Sequence, residues 1–403
     1  MYEGYANMRI LISTDCYLFN IGGITASVLA LCTGLRRLGH EVKTLSLSNC
    51  GRSFKDGDDY YIRSFPAFYY PGMRISFAMH DSLLKELEEW DPDLIHIQTE
   101  GSPRWMSLKI SKHSGAPIVM TCHTDYGYFV FGKYKSLPPV KAIMRRAGKI
   151  LYRRAVRVTV PSQKAADFPF LQEVQDRLTV IPNGMETGKY QKHLPEDERR
   201  ALRASLGIGD NTGTLVVVSR LSKEKNVREL ISFLPGLVKK EPDVKLLIVG
   251  DGPYKKKLEK QVEKLRLCDK VTFTGNIPPE DVWRYYDVGD LFVSASTFEV
   301  HSMSYLEALA NGLPLLCRAD DALTGVLVHN ENGMAYHNES EFIDFALQIL
   351  HQKKLREDMG RCSLRKAMDF TYEAFASSML AVYKEALNNS EKSVKLGAKG
   401  RLR

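Results

Sequence analysis

Short apolar runs alternate along the chain with segments whose apolar residues recur every three or four positions. Residues 8–14 read MRILIST, which is typical of a buried strand, and residues 24–38 have helical spacing and end at Gly39. Strands that are apolar on both faces and alternate with helices form parallel sheets covered by helices on both sides. In this half of the chain, further strands are predicted at residues 40–47, 94–97, 117–123 and 158–160.

The same alternation begins again after about residue 210. Strands are predicted at residues 214–220, 245–250, 271–275 and 291–296, and helices at residues 226–240 and 254–267. A charged stretch that contains proline separates the two series. We therefore predict an α/β protein with two tandem doubly wound, Rossmann-like parallel-sheet domains, residues 1–190 and 191–371, that face each other across a cleft at the carboxyl ends of the strands.

Composition excludes several classes of protein. The 403 residues are 44% hydrophobic and 26% charged, which excludes a disordered or collagen-like chain. No stretch approaches the ~18 apolar residues of a membrane-spanning helix, and the first apolar run is too short for a signal peptide, so a cytoplasmic protein is expected. Seven scattered cysteines predict free thiols, with neither a zinc site nor a disulfide framework. The net charge of +8 favours an anionic partner: phosphates, nucleic acid or an acidic membrane face.

Two segments place anion-binding groups beside predicted strands. Gly22 and Gly23 lie between the first strand and the first helix, where backbone amides can approach an anion at the helix N-terminus, although a plain turn explains them equally well. Arg220 and Lys225, in SRLSKEKN, follow the first strand of the second domain. Such a pair of cations suits a diphosphate, and a solvated basic loop is the alternative.

A third segment, residues 296–314, carries two carboxylates. Glu299 lies in a predicted strand-to-helix loop, and Glu307 follows eight positions later, about two helical turns on. The two side chains suit the hydroxyl groups of a sugar and of a ribose, and solvated helix carboxylates are the alternative. In contrast, Asp91 and Asp93 form a D-P-D that precedes a strand as a turn, and no metal role is expected for them.

Together these motifs resemble those of family-4 glycosyltransferases of the GT-B fold. The resemblance covers about residues 8–385, and its motifs are Gly22-Gly23, RLSKEKN, VGDGP at 249–253, FTGNIP at 273–278 and the paired glutamates. It implies transfer of a sugar from a nucleotide sugar, for which UDP-glucose is expected, with retention of configuration. It also implies that a C-terminal helix, residues 372–403, crosses back to the first domain. Neither a cofactor nor an essential metal is implied.

The resemblance further implies a role for each matching residue. Arg220 and Lys225 would clamp the diphosphate and stabilise the leaving group, and Glu299 and Glu307 would contact the sugar and the ribose. His123 would be a buried structural residue by its position alone, but it matches the active-site histidine of the family. The implied catalytic residues are His123, Arg220, Lys225 and Glu299. The implied donor-binding residues are Gly22, Gly23, Arg220, Lys225, Gly250, Asn276, Ile277, Glu299, Ser302, Met303 and Glu307.

Two departures from the family pattern leave the identity of the donor open. Ser219 stands where the family usually has glycine, and residues 300–303, Val-His-Ser-Met, stand where a small or polar residue and a glycine are commoner. The fold does not depend on either position.

The acceptor side is indicated by residues 127–166, which contain ten basic residues and no Asp or Glu. Between residues 140 and 156 the apolar residues recur at helical spacing with basic residues between them, which predicts an amphipathic helix that can lie on an anionic bilayer. A core-facing helix with a solvated basic face is the alternative, and nucleic acid is not expected because no recognised reading module is present. The aromatic residues of this stretch are Tyr126, Tyr128, Phe129, Phe131 and Tyr134, and the predicted membrane-binding residues are Lys141, Arg145, Arg146, Lys149, Arg153 and Arg154.

HTDYGYFV at 123–130, the basic helix, HIQTEG at 96–101 and Tyr305 resemble bacterial diacylglycerol glucosyltransferases. This implies a peripheral enzyme on the inner face of the cell membrane that moves glucose, or a related hexose, to a lipid hydroxyl such as that of diacylglycerol. The alternative acceptor is a soluble or polyprenyl-linked saccharide in capsule or cell-wall assembly. Other readings are an epimerase, a phosphorylase, which needs a lysine for pyridoxal phosphate, and a non-catalytic binding module. The sequence does not predict the oligomeric state.

Overall fold

The computed structural model describes residues 7–15, 22–67, 74–125, 127, 134 and 137–399, with side chains as far as residue 389. The chain forms two compact units, the first from Met1–Met185 and Tyr372–Arg403 and the second from Glu186–Thr371. The first unit thus ends at Met185 and not at Tyr190, because a short helix that contains Tyr190 packs within the second unit. The predicted aromatic residues Tyr126, Tyr128, Phe129 and Phe131 lie outside the described residues, as do Lys133 and Lys135.

The first unit is built on a mainly parallel sheet. Among the described residues its strand order is β10-β9-β8-β7-β1-β2-β4-β3, and only the β3–β4 pair is antiparallel. A small antiparallel pair, β5–β6, lies apart from this sheet. The strands are β1 (Arg9–Ser13), β2 (Glu41–Leu47), β3 (Phe54–Asp56), β4 (Asp59–Ile62), β5 (Phe65–Pro66), β6 (Arg74–Ile75), β7 (Leu94–Ile97), β8 (Ile118–Thr121), β9 (Ala155–Val160) and β10 (Leu178–Val180). The helices that the described residues form before residue 186 are α1 (Gly23–Arg37), α2 (Ser82–Trp90), α3 (Ser102–Ser114), α4 (Pro138–Leu151), α5 (Gln163–Ala166) and the 3-10 helix Pro169–Arg177.

The second unit contains a parallel sheet with the order β13-β12-β11-β14-β15-β16. Its strands are β11 (Gly213–Val218), β12 (Val244–Val249), β13 (Val271–Gly275), β14 (Leu291–Ser294), β15 (Leu315–Arg318) and β16 (Gly333–Tyr336). Its helices are α6 (Thr187–Tyr190), α7 (Glu196–Ser205), α8 (Val227–Lys240), α9 (Lys255–Lys264), α10 (Val282–Asp287), α11 (Met303–Ala310), α12 (Glu339–His351) and α13 (Lys353–Ala367), with the 3-10 helices Lys223–Lys225, Asp321–Leu323 and Met368–Phe370.

Both faces of the second sheet are covered, as the apolar strands predict. In β12, Leu246 and Ile248 belong to one core cluster, while Leu247 and Val249 face a separate cluster. Since neighbouring residues of a strand point to opposite faces, helices must cover both sides of the sheet. The predicted α/β architecture of two doubly wound parallel sheets is confirmed.

A final helix, α14 (Tyr372–Lys399), returns to the first unit and completes its core. Ala376, Met379 and Tyr383 of α14 are buried with residues of β1 and α1 in one cluster. The two helices touch closely at Gly34 of α1, where a Cβ atom would lie 2.4 Å from the carbonyl oxygen of Tyr372. A larger residue at position 34 would therefore separate them.

The basic helix is shorter than predicted. Helix α4 ends at Leu151, and residue 156 lies in β9, because Ala155 already pairs with Ile118 of the sheet. As a result, Arg153 and Arg154 occupy the turn between α4 and β9 and not the helix itself. Within the described part of the chain, we find no helix of sufficient length and apolar character to span a membrane.

Candidate functional site

In the second unit, the predicted site residues follow neighbouring strands. Arg220 comes after β11, Gly250 after β12, Asn276 after β13 and Glu299 after β14. These four strands are adjacent and parallel, so their carboxyl ends open on the same edge of the sheet. The fold thus gathers residues that are up to 79 positions apart in sequence, from Arg220 to Glu299, at one edge.

The loops after β11 and β12 pack tightly because glycine occupies two positions. Gly250 has φ +132°, and a Cβ atom there would lie 2.0 Å from the carbonyl oxygen of Ser219. At Gly252 a Cβ atom would lie 2.4 Å from the carbonyl oxygen of Leu221. Backbone hydrogen bonds join the same loops, including Leu221 N to Asp251 O at 2.9 Å. The VGDGP motif therefore fixes the backbone on both sides of Arg220.

Lys225 and Glu299 form an ion pair in the second unit. The Lys225 Nζ atom donates to Glu299 Oε1 at 2.6 Å, and the side chains are 27% and 12% exposed. Asn226, in the left-handed conformation with φ 51°, also ties the two loops together, since its Nδ2 donates to the Ala295 carbonyl at 3.3 Å. The Arg220 side chain is exposed and has no hydrogen-bond partner among the described residues. The Arg220 guanidinium is thus available to a ligand, whereas Lys225 and Glu299 pair with each other.

Glu307 lies on α11 and accepts hydrogen bonds from two tyrosines. The hydroxyls of Tyr190 and Tyr286 donate to its Oε1 and Oε2 at 3.0 and 2.7 Å. Burial raises the pKa of Glu307, while the two hydrogen bonds favour the ionised form. Neither tyrosine was predicted from the sequence, because nothing near Glu307 in the chain indicates them. Each carboxylate oxygen keeps a further acceptor position for a ligand.

The loop before α11 contains the unusual residues of the sequence. Ser302 is the N-terminal capping residue of the helix, but its hydroxyl contacts Ser304 Oγ at 3.0 Å instead of the backbone, and Met303 is the first helical residue. His301 is only 8% exposed, and burial lowers its pKa to about 4. Its Nδ1 atom is buried without a hydrogen-bond partner among the described residues. Asn276 is exposed, and Ile277 is half-buried and packs against the core cluster that contains Leu247 and Val249.

In the first unit, Gly22 and Gly23 begin α1. Gly22 is the capping residue, with an extended φ of −172°, and no side chain caps the helix. Both glycines are exposed, and among the described residues no atom lies within 4 Å of a Cβ atom placed at Gly22. Packing against these residues therefore does not require glycine at position 22, and the uncapped helix N-terminus suits an anion.

His123 follows β8 in the first unit and contacts a buried glutamine. Its Nε2 atom lies 2.7 Å from Gln98 Oε1, and burial lowers the pKa of His123 to about 4. Gln98 is 2% exposed and follows β7, the strand next to β8. In the sequence, HIQTEG at 96–101 contributes only to a family resemblance, from which no role follows for Gln98.

No group of three or more His, Cys, Asp or Glu side chains that could hold a metal occurs in the described ranges. The D-P-D motif has a structural contact instead. Asp93 Oδ2 accepts a hydrogen bond from Arg9 N at 2.7 Å, and the Arg9 guanidinium lies 3.4 Å from Asp91. The motif therefore anchors the beginning of β1.

Helix α4 packs on the first unit through one narrow face. Met144 and Gly148 are its buried residues, and a Cβ atom at Gly148 would lie 1.7 Å from the carbonyl oxygen of Phe170. On another side, Ile143 and Ile150 are 57% and 64% exposed. The six basic residues predicted to bind a membrane are all exposed: Lys141, Arg145, Arg146, Lys149, Arg153 and Arg154.

Comparison with known proteins defines the class. The family model of Glycosyltransferase Family 4 matches residues 21–189, and that of Glycosyl transferases group 1 matches residues 198–364. Solved structures of this fold include HepE from Anabaena in complex with UDP-glucose, with a TM-score of 0.71, 19% identity and coverage of 94% of this chain and 100% of that chain. Sucrose-phosphate synthase from Thermosynechococcus elongatus has a TM-score of 0.72, 19% identity and coverage of 95% and 100%.

Similar sequences give a more particular assignment. The alpha-monoglucosyldiacylglycerol synthase of Streptococcus pneumoniae is 30% identical over 392 residues, which cover 96% of this chain and 88% of that protein. The enzyme of the same name from Acholeplasma laidlawii is 28% identical, with coverage of 96% and 99%. The chain belongs to the GT-B glycosyltransferases that combine these two family domains, and the resemblance inferred from its motifs is confirmed.

Proposed function

We propose that this glycosyltransferase moves glucose, or a related hexose, from a UDP-sugar to a membrane-lipid hydroxyl such as that of diacylglycerol. The transfer retains the anomeric configuration and takes place on the inner face of the cell membrane. Two relatives named alpha-monoglucosyldiacylglycerol synthase, similar to this chain over almost its full length, support the lipid acceptor.

The observation that carries the proposal is the outward surface of α4. Ile143, Ala147 and Ile150 are exposed and lie four and three positions apart, so they share one side of the helix. Basic residues flank this apolar strip. Each lysine or arginine near an anionic membrane contributes about 1 kcal/mol to binding, and the isoleucines add apolar burial. A helix with only a solvated basic face would not expose the two isoleucines.

On the donor side, Arg220 and Lys225 bind the diphosphate and stabilise the charge that develops on the leaving nucleotide. Glu299 binds the hydroxyls of the sugar, Glu307 those of the ribose, and His123 contacts the transferred sugar. Donor binding also involves Gly22, Gly23, Gly250, Asn276, Ile277, Ser302 and Met303. Because Lys225 and Glu299 already pair with each other, the donor is bound by a preformed pair of side chains and not by two separate charges.

A donor and acceptor screen tests the proposal. The protein is incubated with UDP-glucose, UDP-galactose or GDP-mannose, with and without vesicles of phosphatidylglycerol and diacylglycerol. Nucleotide release and the glycolipid product are then measured. We expect UDP release from UDP-glucose to rise with the vesicles and to yield an α-linked glycolipid. Turnover with a soluble saccharide and none with diacylglycerol would contradict the lipid acceptor.

Vesicle flotation tests the surface itself. In one variant, Arg145, Arg146, Arg153 and Arg154 are changed to Glu, which reduces the net charge from +8 to 0 because each reversal removes two charges. The matched control carries the same reversal at four exposed lysines of the second unit, Lys239, Lys256, Lys264 and Lys354. Only the first variant should lose binding to anionic vesicles, and it should keep measurable donor hydrolysis. Equal losses in both variants would indicate an effect of net charge and not of α4.

A further inference from the structure

A series of buried polar side chains runs from His123 to the C-terminal helix. Gln98 accepts from His123 Nε2 through Oε1 at 2.7 Å, and its Nε2 lies 3.1 Å from His96 Nδ1. His96 Nδ1 is also 2.6 Å from the hydroxyl of Tyr383 on α14, and its Nε2 is 2.7 Å from Thr121 Oγ1. His96 and Tyr383 are completely buried. All five residues belong to the first unit.

These contacts determine which nitrogen of His123 carries hydrogen. An amide oxygen can only accept a hydrogen bond, so His123 Nε2 must donate to Gln98 Oε1. Burial lowers the pKa of His123 to about 4, so the ring is neutral near pH 7 and carries a single N–H. The other nitrogen, Nδ1, is then an unprotonated acceptor, and it has no hydrogen-bond partner among the described residues.

On its other side, the amide group of Gln98 lies against His96. Burial, with a smaller effect of nearby His123, lowers the pKa of His96 to about 3, so this ring is also neutral and has one unprotonated nitrogen. Gln98 Nε2 lies 3.1 Å from Nδ1 and 3.2 Å from Nε2 of His96. The NH2 group is therefore nearly equidistant from the two ring nitrogens, each of which also lies against a hydroxyl, of Tyr383 or Thr121. With the amide in this orientation, its oxygen faces His123 Nε2.

We infer that Gln98 is a positioning residue for His123, which holds the imidazole as the Nε2–H tautomer and leaves Nδ1 to accept a hydrogen bond from a hydroxyl of the transferred sugar. The contact with sugar rests on the proposed function, whereas the assignment of the His123 tautomer does not depend on it. In the opposite tautomer an N–H group would point toward the sugar, and a sugar hydroxyl could no longer donate to it.

The tautomer can be observed directly by NMR. Long-range 1H–15N spectra of the full-length protein labelled with 15N-histidine distinguish Nε2–H from Nδ1–H rings, and His123→Ala assigns the signals. We expect the Nε2–H form for His123 in the wild type. Gln98→Met keeps the length of the side chain but removes both polar atoms, so His123 should become Nδ1–H or a mixture. Gln175→Met is the matched control, because that glutamine of the same unit bonds the Ala166 carbonyl and does not contact His123.

Kinetics test whether the tautomer matters for the reaction. Gln98→Met should lower kcat for sugar transfer about tenfold, the value of one hydrogen bond of ~1.4 kcal/mol, while Gln175→Met should leave it unchanged. Gln98→Glu places a carboxylate beside His123 and raises its pKa, which favours the protonated ring. An imidazolium cannot accept a hydrogen bond, so the acidic limb of the kcat profile should move to higher pH. A purely structural role of Gln98 would not shift this profile.

Several results would overturn the inference. They are an Nδ1–H ring for His123 in the wild type, a tautomer unchanged in Gln98→Met, or a changed tautomer with kcat within twofold of wild type. Thermal melting of each variant identifies losses of kcat that arise from unfolding. If His123→Ala turns over at the wild-type rate, the proposed role of His123 is wrong as well. A loss in His123→Ala together with normal turnover in Gln98→Met overturns this inference alone.

Discussion

The two exposed isoleucines of α4 allow the membrane proposal to be tested separately from charge. The variant changes Ile143 and Ile150 to serine, which has about the helix propensity of isoleucine, so α4 should remain helical. Both side chains lie away from Met144 and Gly148, through which the helix packs. The free energy of unfolding should therefore stay within about 0.5 kcal/mol of wild type.

The expected loss of affinity follows from the exposed surface. Complete burial of an isoleucine side chain contributes about 1.5–3 kcal/mol. Since Ile143 is 57% exposed and Ile150 is 64% exposed, insertion of both into a bilayer should contribute roughly 1.8–3.6 kcal/mol together. At 1.4 kcal/mol per factor of ten, the double variant should bind vesicles about 20- to 400-fold more weakly.

The assay is flotation with vesicles of phosphatidylglycerol, at low salt and at 1 M salt. At about 1 M the Debye length is only ~3 Å, so the contribution of the basic residues is screened. The ratio between the wild type and the double variant should persist at high salt, whereas the effect of the four charge reversals should shrink. A control with Val328 and Met368 of the second unit changed to serine should bind normally, since these residues are exposed but lie far from α4 in sequence. Binding of the isoleucine variant within twofold of wild type would refute insertion of α4.

Three further predictions concern the candidate site. Lys225→Ala should lower kcat about 100-fold or more without weakening vesicle binding, and equal losses of both would contradict its role at the diphosphate. Gly250→Ala should lower the free energy of unfolding of the second unit by at least ~2 kcal/mol, measured by urea unfolding. The reason is that a Cβ atom at φ +132° would lie 2.0 Å from a backbone oxygen. As a control, Gly22→Ala should leave the free energy of unfolding unchanged. Burial lowers the pKa of His301 to about 4, whereas the same side chain has a pKa of about 6.5 in the unfolded chain. Because the unfolded chain binds this proton more tightly, the free energy of unfolding falls as the pH drops from 6.5 to 4. His301→Gln should remove roughly 3 kcal/mol of that pH dependence, and an unchanged slope of stability against pH would contradict this.

Much of the fold could be predicted from the sequence because its signals are local. The strand at residues 271–275 has the same bounds in the structure, and β7 does as well. Helix α8 begins one residue after the predicted position. In contrast, β3, β5 and β6 are two or three residues long and partly exposed, so they have too few apolar positions to show a period, and the buried β4 has only four residues. The family motifs located the edge of the second sheet where Arg220 and Glu299 lie.

The contacts that tune the site could not be predicted, because they join distant parts of the chain. His96 and Tyr383 are separated by 287 positions and meet only once α14 has packed on the first unit. Tyr190 and Tyr286 reach Glu307 from two other helices, and neither belongs to a motif. The sequence likewise did not predict which side of α4 packs against the protein. Its apolar residues form two strips, and only the close approach at Gly148 shows which strip faces the protein.

The position of α14 has a consequence for biosynthesis. Its buried residues complete the core around β1, but residues 186–371 are translated before it. Whereas domains commonly fold from the N-terminus while the ribosome elongates the chain, the first unit here must wait for the second to emerge. During that interval the apolar face of α1 has no partner helix, and a chaperone that shields it would promote correct assembly. A stop codon after residue 371 should thus yield an aggregating product, although the whole second unit would be present.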